Sequence, residues 1–177
     1  MPSSTDLRAR IASLVARAAL RRVDVLGAGA RTFGRPVVSN QGRIEIGRGV
    51  VLSALPVPSH LATGAGGVLR VGDRVSIAHG ASIFANREID IGDDVSIGPL
   101  AMLLDVDFHE VRARDSIGES RPIRIGRGVR IGSGVVVLRG AIIGDGARIA
   151  ANCVVSRYVP PGVLAAGVPA RPVVVAA

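Results

Sequence analysis

The chain has 177 residues, 48% of them hydrophobic but only 2% aromatic, and a net charge of +8. A core without aromatics is packed from Val, Ile, Leu and Ala, which favours narrow, regular layers. One cysteine excludes a disulfide framework, no apolar run approaches a membrane span, and arginines interrupt the N-terminus where a signal peptide would be apolar, so a cytoplasmic location is expected.

All 22 basic residues are Arg, and residues 1–31 carry six of them against two Asp. That balance fits an anionic small molecule or a membrane surface. A nucleic-acid partner is not expected, because no binding module is visible and four scattered aromatics make no stacking platform.

In chain order, the first element is a helix over about 4–22, with Ser4 or Thr5 as N-cap and Leu7, Ile11, Leu14, Val15 and Ala18 on one face. Arg10, Arg17 and Arg21 flank that stripe, a pattern also compatible with an anionic membrane. The stripe is short and lacks Trp and Phe anchors, so residues 1–24 are expected to cap the domain that follows rather than to bind lipid.

From there to residue 177 the sequence repeats. Aliphatic residues recur every six positions, as Ile125, Ile131, Val137, Ile143, Ile149, Val155. Shorter series are Val71, Ile77, Ile83, then Ile91, Ile97, Leu103, and an earlier pair is Ile46 and Leu52. A small apolar residue often stands two positions before, as at Val75, Val95, Val129, Val135 and Ala147. Residues i and i+2 share a face in a strand, whereas a helix would space its apolar positions three and four apart. Each hexapeptide therefore reads as a short strand plus a tight turn, and stacked units give an all-β solenoid, a parallel β-helix. Residues 53–67, with Pro56, Pro58 and several glycines, read as a loop. A second excursion, about 104–122, contains "DVDFHE".

With these repeats, and with the closing stretch "IGDGARIAANCVVSRYVPPGVLAAGVPARPV", the chain resembles the hexapeptide-repeat acyltransferases from about Gly42 to Pro172. "DVDFH" followed by a loop and "IRIGRGVRIGSGVVVLRG" resembles the subgroup that acetylates sugars. The resemblance implies a left-handed parallel β-helix, three hexapeptides to a coil, assembled as homotrimers with active sites between subunits. It also implies an acetyl-CoA co-substrate, no metal, and a small-molecule or glycan acceptor acylated directly on a hydroxyl.

Chemistry belongs where the repeat breaks. His109, just ahead of the loop, has the family position of the general base, and a neutral imidazole can take the proton of an attacking hydroxyl. Asp107 either fixes its tautomer or binds acceptor hydroxyls, while Asp105 and Glu110 read as solvated. Asn86, at a two-residue insertion, matches a family asparagine that holds the acceptor. For the donor, the resemblance implies that the backbone amide of Ser133 meets the thioester oxygen and that of Ala151 the pantetheine arm. Ser156, Arg157 and Arg171 match positions near the phosphates. Arg130 departs from the pattern, standing where the family commonly has an aromatic residue. Cys153 reads as a small buried hydrophobe.

Two other readings share this fold. Gamma-type carbonic anhydrases bind zinc through three histidines, and the chain has three, His60, His79 and His109, but lacks the H-x4-H pair of that family. A non-catalytic solenoid for assembly or binding is the other.

Overall fold

The computed structural model describes residues 14–107 and 118–173. Its strands wind in seven coils. Coil 1 holds β1 (Val25–Leu26), β2 (Arg31–Phe33) and β3 (Val37–Asn40); coil 2 holds β4 (Arg43–Ile46), β5 (Val51–Ser53) and β6 (His60–Thr63). Coil 3 holds β7 (Val68–Val71), β8 (Ser76–Ile77) and β9 (Ser82–Ala85); coil 4 holds β10 (Glu88–Ile91), β11 (Ser96–Ile97) and β12 (Met102–Leu104). After the excursion, coil 5 holds β13 (Ile123–Ile125), β14 (Arg130–Ile131) and β15 (Val136–Leu138). Coil 6 holds β16 (Ile142–Ile143), β17 (Arg148–Ile149) and β18 (Val154–Val155). The last coil holds β19 (Tyr158–Val159) and β20 (Leu164–Gly167), and β21 (Ala170–Pro172) folds back.

The first, second and third strands of successive coils form sheets A, B and C, three faces of a left-handed parallel β-helix. Pairing is parallel except between β20 and β21, where the chain reverses at the end of sheet B. The register follows the spacing of the aliphatic residues. Val136 pairs with Val154, three hexapeptides on, and Ser82 with Met102, which adds the two-residue insertion after Ala85. Across the excursion Met102 pairs with Val136, so the coil resumes in phase. Every residue of the four aliphatic series is at most 4% exposed. Each such side chain removes enough apolar area to stabilise the fold by about 1.5–3 kcal/mol, before entropy is counted.

Two expectations need correction. Residues 53–67 are not one loop, because β6 lies inside them and Leu61 and Thr63 alternate into the core. Thr63 is tolerated there because its hydroxyl accepts the N–H groups of Gln41 and Gly42 and donates to Asn40. The excursion shrinks to 54–59. The helix, described over 14–19, packs through another face than its expected stripe. Ala16 and Leu20, one turn apart, are buried and Leu20 joins the core, whereas Leu14 is 65% and Val15 50% exposed and Ala18 is exposed. The residues of that stripe before position 14 lie outside the described residues.

Candidate active site

The three corners of the prism differ in how they satisfy the backbone, and the candidate residues divide between two of them. At the corner between sheets A and B, carboxylates from the next coil accept otherwise unpaired amides. Arg48 N–H donates to Asp73 Oδ1 (2.7 Å), Asp73 N–H to Asp93 Oδ1 (2.9 Å), and Arg127 N–H to Asp145 Oδ1 (2.8 Å). Arg48 also binds Asp73 by its side chain, and this holds the Asp73 carboxyl below the ordinary aspartate range.

The corner between sheets B and C stacks His79, Pro99, Ser133 and Ala151. Here Leu100 N–H donates to the His79 carbonyl (3.0 Å), Gly134 N–H to that of Pro99 (2.8 Å), and Asn152 N–H to that of Ser133 (2.8 Å). No carboxylate lies in this stack. Among the described residues the N–H groups of Ser133 and Ala151 have no hydrogen-bond partner. Gly98 and Gly132 keep the corner tight: a Cβ on Gly98 would lie 2.7 Å from Ser133 N, and one on Gly132 2.7 Å from Ala151 N. Along the neighbouring outer edge of sheet B run the small residues Gly132, Ala150 and Ala166, the last paired with Arg171. Ser133, Ala151 and Arg171 are all exposed, so two open amides and a cation share one smooth strip.

The corner between sheets C and A carries the neck of the 105–121 excursion. Asp105 is fully buried, and its carboxylate accepts the N–H groups of Asn86 (2.6 Å), Arg87 (2.8 Å) and Glu88 (2.6 Å). The expectation of a solvated Asp105 is therefore wrong. The insertion at Asn86 widens the turn, its amides point inward, and Asp105 fills the gap. Asn86 Nδ2 donates to Ser120 Oγ (2.8 Å), tying that turn to the returning limb, and Val106 pairs with Ser120 across the neck. Asp107 is held by Arg139, whose Nε donates to Oδ2 (2.5 Å). Arg139 also bonds Glu119 (3.0 Å), which Arg121 grips from the other side. Hydrogen bonding from Arg121 lowers the Glu119 carboxyl below its ordinary range.

Asn86 and Asp107 thus stand together at this neck. His109 and Glu110 lie outside the described residues. Ser156 and Arg157 are exposed at the same corner one coil beyond Arg139, and sheet C lies between them and Ser133, Ala151 and Arg171. His60 is exposed on the outside of sheet C and His79 sits in the B–C corner. Cys153 is buried, its sulfur accepting Gly167 N–H (3.2 Å). Sequence reasoning missed Arg139, Glu119, Arg121 and Ser120. The available signal was Arg139, a charged residue at the turn of an otherwise apolar "VVVLRGA" run, one coil after the loop base.

Residues 122–157 match the family described as bacterial transferase hexapeptide (six repeats). A hexapeptide-repeat-containing acetyltransferase of Vibrio cholerae O1 biovar eltor, solved with acetyl coenzyme A, is 30% identical, with 90% of this chain and 75% of that one covered and a TM-score of 0.64. The chain belongs to the hexapeptide-repeat acyltransferases. A galactoside acetyltransferase solved with coenzyme A is also 30% identical, over 77% of this chain and 63% of that one, with a TM-score of 0.51. An N-acyltransferase of Bacillus cereus, solved with dTDP and 3-hydroxybutyryl-CoA, shares the fold at 19% identity, covering 97% and 87% of the two chains with a TM-score of 0.70. No curated protein sequence matches this hexapeptide-repeat chain. None of its described helices is long and apolar enough to cross a membrane.

Proposed function

We propose that the protein transfers an acyl group, acetyl in the simplest case, from coenzyme A to a hydroxyl of a sugar or glycan precursor in the cytoplasm. The observation that carries this reading is the open B–C corner, with the unpartnered amides of Ser133 and Ala151 aligned with Arg171. An extended pantetheine arm offers amide carbonyls to such N–H groups, and the Ser133 amide would meet the thioester oxygen as it gains charge. Arg171 would bind the 3'-phosphate by charge-assisted hydrogen bonds. The coenzyme A complexes of the two 30%-identical relatives support this donor.

His109 is proposed as the general base. It lies two residues beyond Asp107, and the neck of Asn86, Ser120, Asp107 and Arg139 holds the start of its loop. One oxygen of Asp107 is committed to Arg139, which favours a positioning role for this carboxylate over use of both oxygens on the acceptor. In the reaction the acceptor hydroxyl loses its proton to His109 and attacks the thioester carbonyl. The tetrahedral oxyanion collapses, the C–S bond breaks, the imidazolium of His109 gives its proton to the departing thiolate, and coenzyme A leaves as the free thiol without an acyl-enzyme.

The two halves of this site stand on opposite edges of sheet C. Arg139 lies six positions after Ser133 through β15, a span of up to roughly 20 Å. Over its middle and later coils the outer face of that sheet is largely apolar, with Met102, Val136 and Val154 in one row and Phe84, Leu104 and Leu138 in the next, while His60 and Ser82 occupy the first row in the earlier coils. We therefore propose a closed homotrimer in which the B–C corner of one subunit meets the C–A corner of its neighbour, a heterologous contact that closes into a ring.

Acetyl-CoA hydrolysis and transfer against a panel of sugars, amino sugars and glycan precursors tests the reading. Coenzyme A at a hundredfold its dissociation constant should add roughly 2.7 kcal/mol of stability. His109→Ala should lower turnover by about a hundredfold while leaving the mass of the assembly unchanged. No stabilisation by coenzyme A, or wild-type turnover in the variant, would exclude the donor or the base respectively.

A further inference from the structure

The helix that precedes the first coil has two faces with different fates. Ala16 and Leu20 are buried, and Leu20 joins the core. The other face presents Leu14 at 65% exposure, Val15 at 50%, and the exposed Ala18. The arginines around it also differ from those elsewhere. Arg48 binds Asp73, Arg70 binds Glu88, Arg74 binds Asp94, and Arg139 binds Asp107. Residues 14–40, by contrast, hold Arg17, Arg21, Arg22, Arg31 and Arg35 against Asp24 alone. The Asp24 carboxylate is turned to the Asn40 side chain and the Ile44 N–H, and none of the five arginines has an ion pair among the described residues. The first 40 residues carry seven Arg and two Asp, a balance of +5 out of the chain's +8.

The apolar and the basic groups meet in one place. Val15, Ala18 and Arg21 line a cleft of about 560 Å³ with Arg35 and Pro36, which stand in the turn between β2 and β3. We infer that this end of the solenoid docks on an anionic phospholipid surface. Arg21 and Arg35 take a headgroup phosphate in the cleft, while Leu14, Val15 and Ala18 enter the headgroup–acyl boundary. A second copy of the chain suits the cleft less well. In the ring proposed above, this corner meets a neighbour's C–A corner. That corner reads Asn40, Gln41, Gly42 and, one coil on, Gly64 to Gly67, with no carboxylate for the guanidinium groups. The ring also stands three solenoids side by side, so their first coils share one end. Three short apolar rows then meet a bilayer together, which offsets the lack of Trp and Phe anchors. The excursion neck and the Ser133 corner, on coils 4 and 5, stay clear at roughly 15–20 Å up the stack.

The test is flotation of the full chain with vesicles of phosphatidylcholine alone and of phosphatidylcholine mixed with phosphatidylglycerol. The protein should float with the mixed vesicles only, and should be released at about 1 M salt, where the screening length falls to about 3 Å. Two double variants, Arg21→Gln with Arg35→Gln and Leu14→Gln with Val15→Gln, should each weaken that binding about tenfold or more. Turnover, melting temperature and assembly mass should be unchanged in both. Equal binding to the two kinds of vesicle, binding to neither, or full binding by the arginine variant would overturn the inference. Release by inorganic phosphate at matched ionic strength would overturn it too, because the cleft would then serve a soluble anion. So would a smaller assembly in the Leu14→Gln, Val15→Gln variant, which would show that a neighbouring subunit covers the stripe.

Discussion

Two corners of the same prism, built from the same hexapeptide, solve the same backbone problem in opposite ways. Where sheet A turns into sheet B, Asp73, Asp93 and Asp145 each accept the amide of the preceding coil. Where sheet B turns into sheet C, Ala151 occupies the position equivalent to Asp145, and the Ser133 amide is left open. A turn leaves its amide open wherever the next coil offers no carboxylate, as at Asp93 and Asp145 on the A–B corner too. What sets the B–C corner apart is a stack of His79, Pro99, Ser133 and Ala151 with no carboxylate in it, aligned with Arg171, and this is the edge proposed for the donor.

The largest expected effect on stability is at the third corner, which also uses an aspartate. Asp105→Ala would leave three inward amides without their acceptor and should lower stability by about 3 kcal/mol, read by denaturant unfolding. A loss within experimental error would mean that water replaces the carboxylate. Next, Ala151→Asp would copy the A–B solution onto the B–C corner. Its carboxylate should accept Ser133 N–H, leaving the melting temperature unchanged or slightly raised while coenzyme A affinity falls by tenfold or more; retained affinity would break the comparison. The converse, Asp145→Ala, should cost about 1 kcal/mol by freeing Arg127 N–H, with kcat unaltered.

Smallest is the response to acid. Asp73, Asp94 and Glu88 sit below their ordinary pKa ranges through hydrogen bonds from Arg48, Arg74 and Arg70 respectively. A carboxylate depressed in the folded state adds stability that is complete above its unfolded pKa and is lost as pH falls through the folded one. The melting temperature should therefore be flat above about pH 5 and decline below about pH 4, by less at high salt. A melting temperature that rose on acidification would contradict these pairings.

The solenoid was legible because one physical rule, burial of an aliphatic every sixth residue, acts locally and repeats. Even the longer coil shows in the eight-residue step from Ile83 to Ile91. Loop limits were less legible, because Pro56 and Pro58 draw attention away from the alternation of Leu61 and Thr63 that makes β6. The helix misled for a similar reason: its longer apolar stripe faces outward, and the shorter pair Ala16 and Leu20 meets the core. The partners of Asp105 and Asp107 were invisible, since they depend on which residues stack across coils of unequal length. Arg139 stands 32 residues from Asp107, a separation set by the size of the excursion and by no local pattern. The open amides at Ser133 and Ala151 could be named only from the resemblance, because a missing partner leaves no mark in a sequence.

The central claim, that the Ser133 amide serves the reaction and not the fold, is tested most directly by comparing Ser133→Pro with Ser133→Ala. Proline removes only the N–H and suits this corner, where Pro99 fills the equivalent place one coil earlier. Both variants should melt near the wild type and Ser133→Ala should keep its turnover, while Ser133→Pro should lose about 10²–10³-fold in kcat as its oxyanion donor disappears. A Ser133→Pro enzyme that is folded and turns over like the wild type would contradict the account.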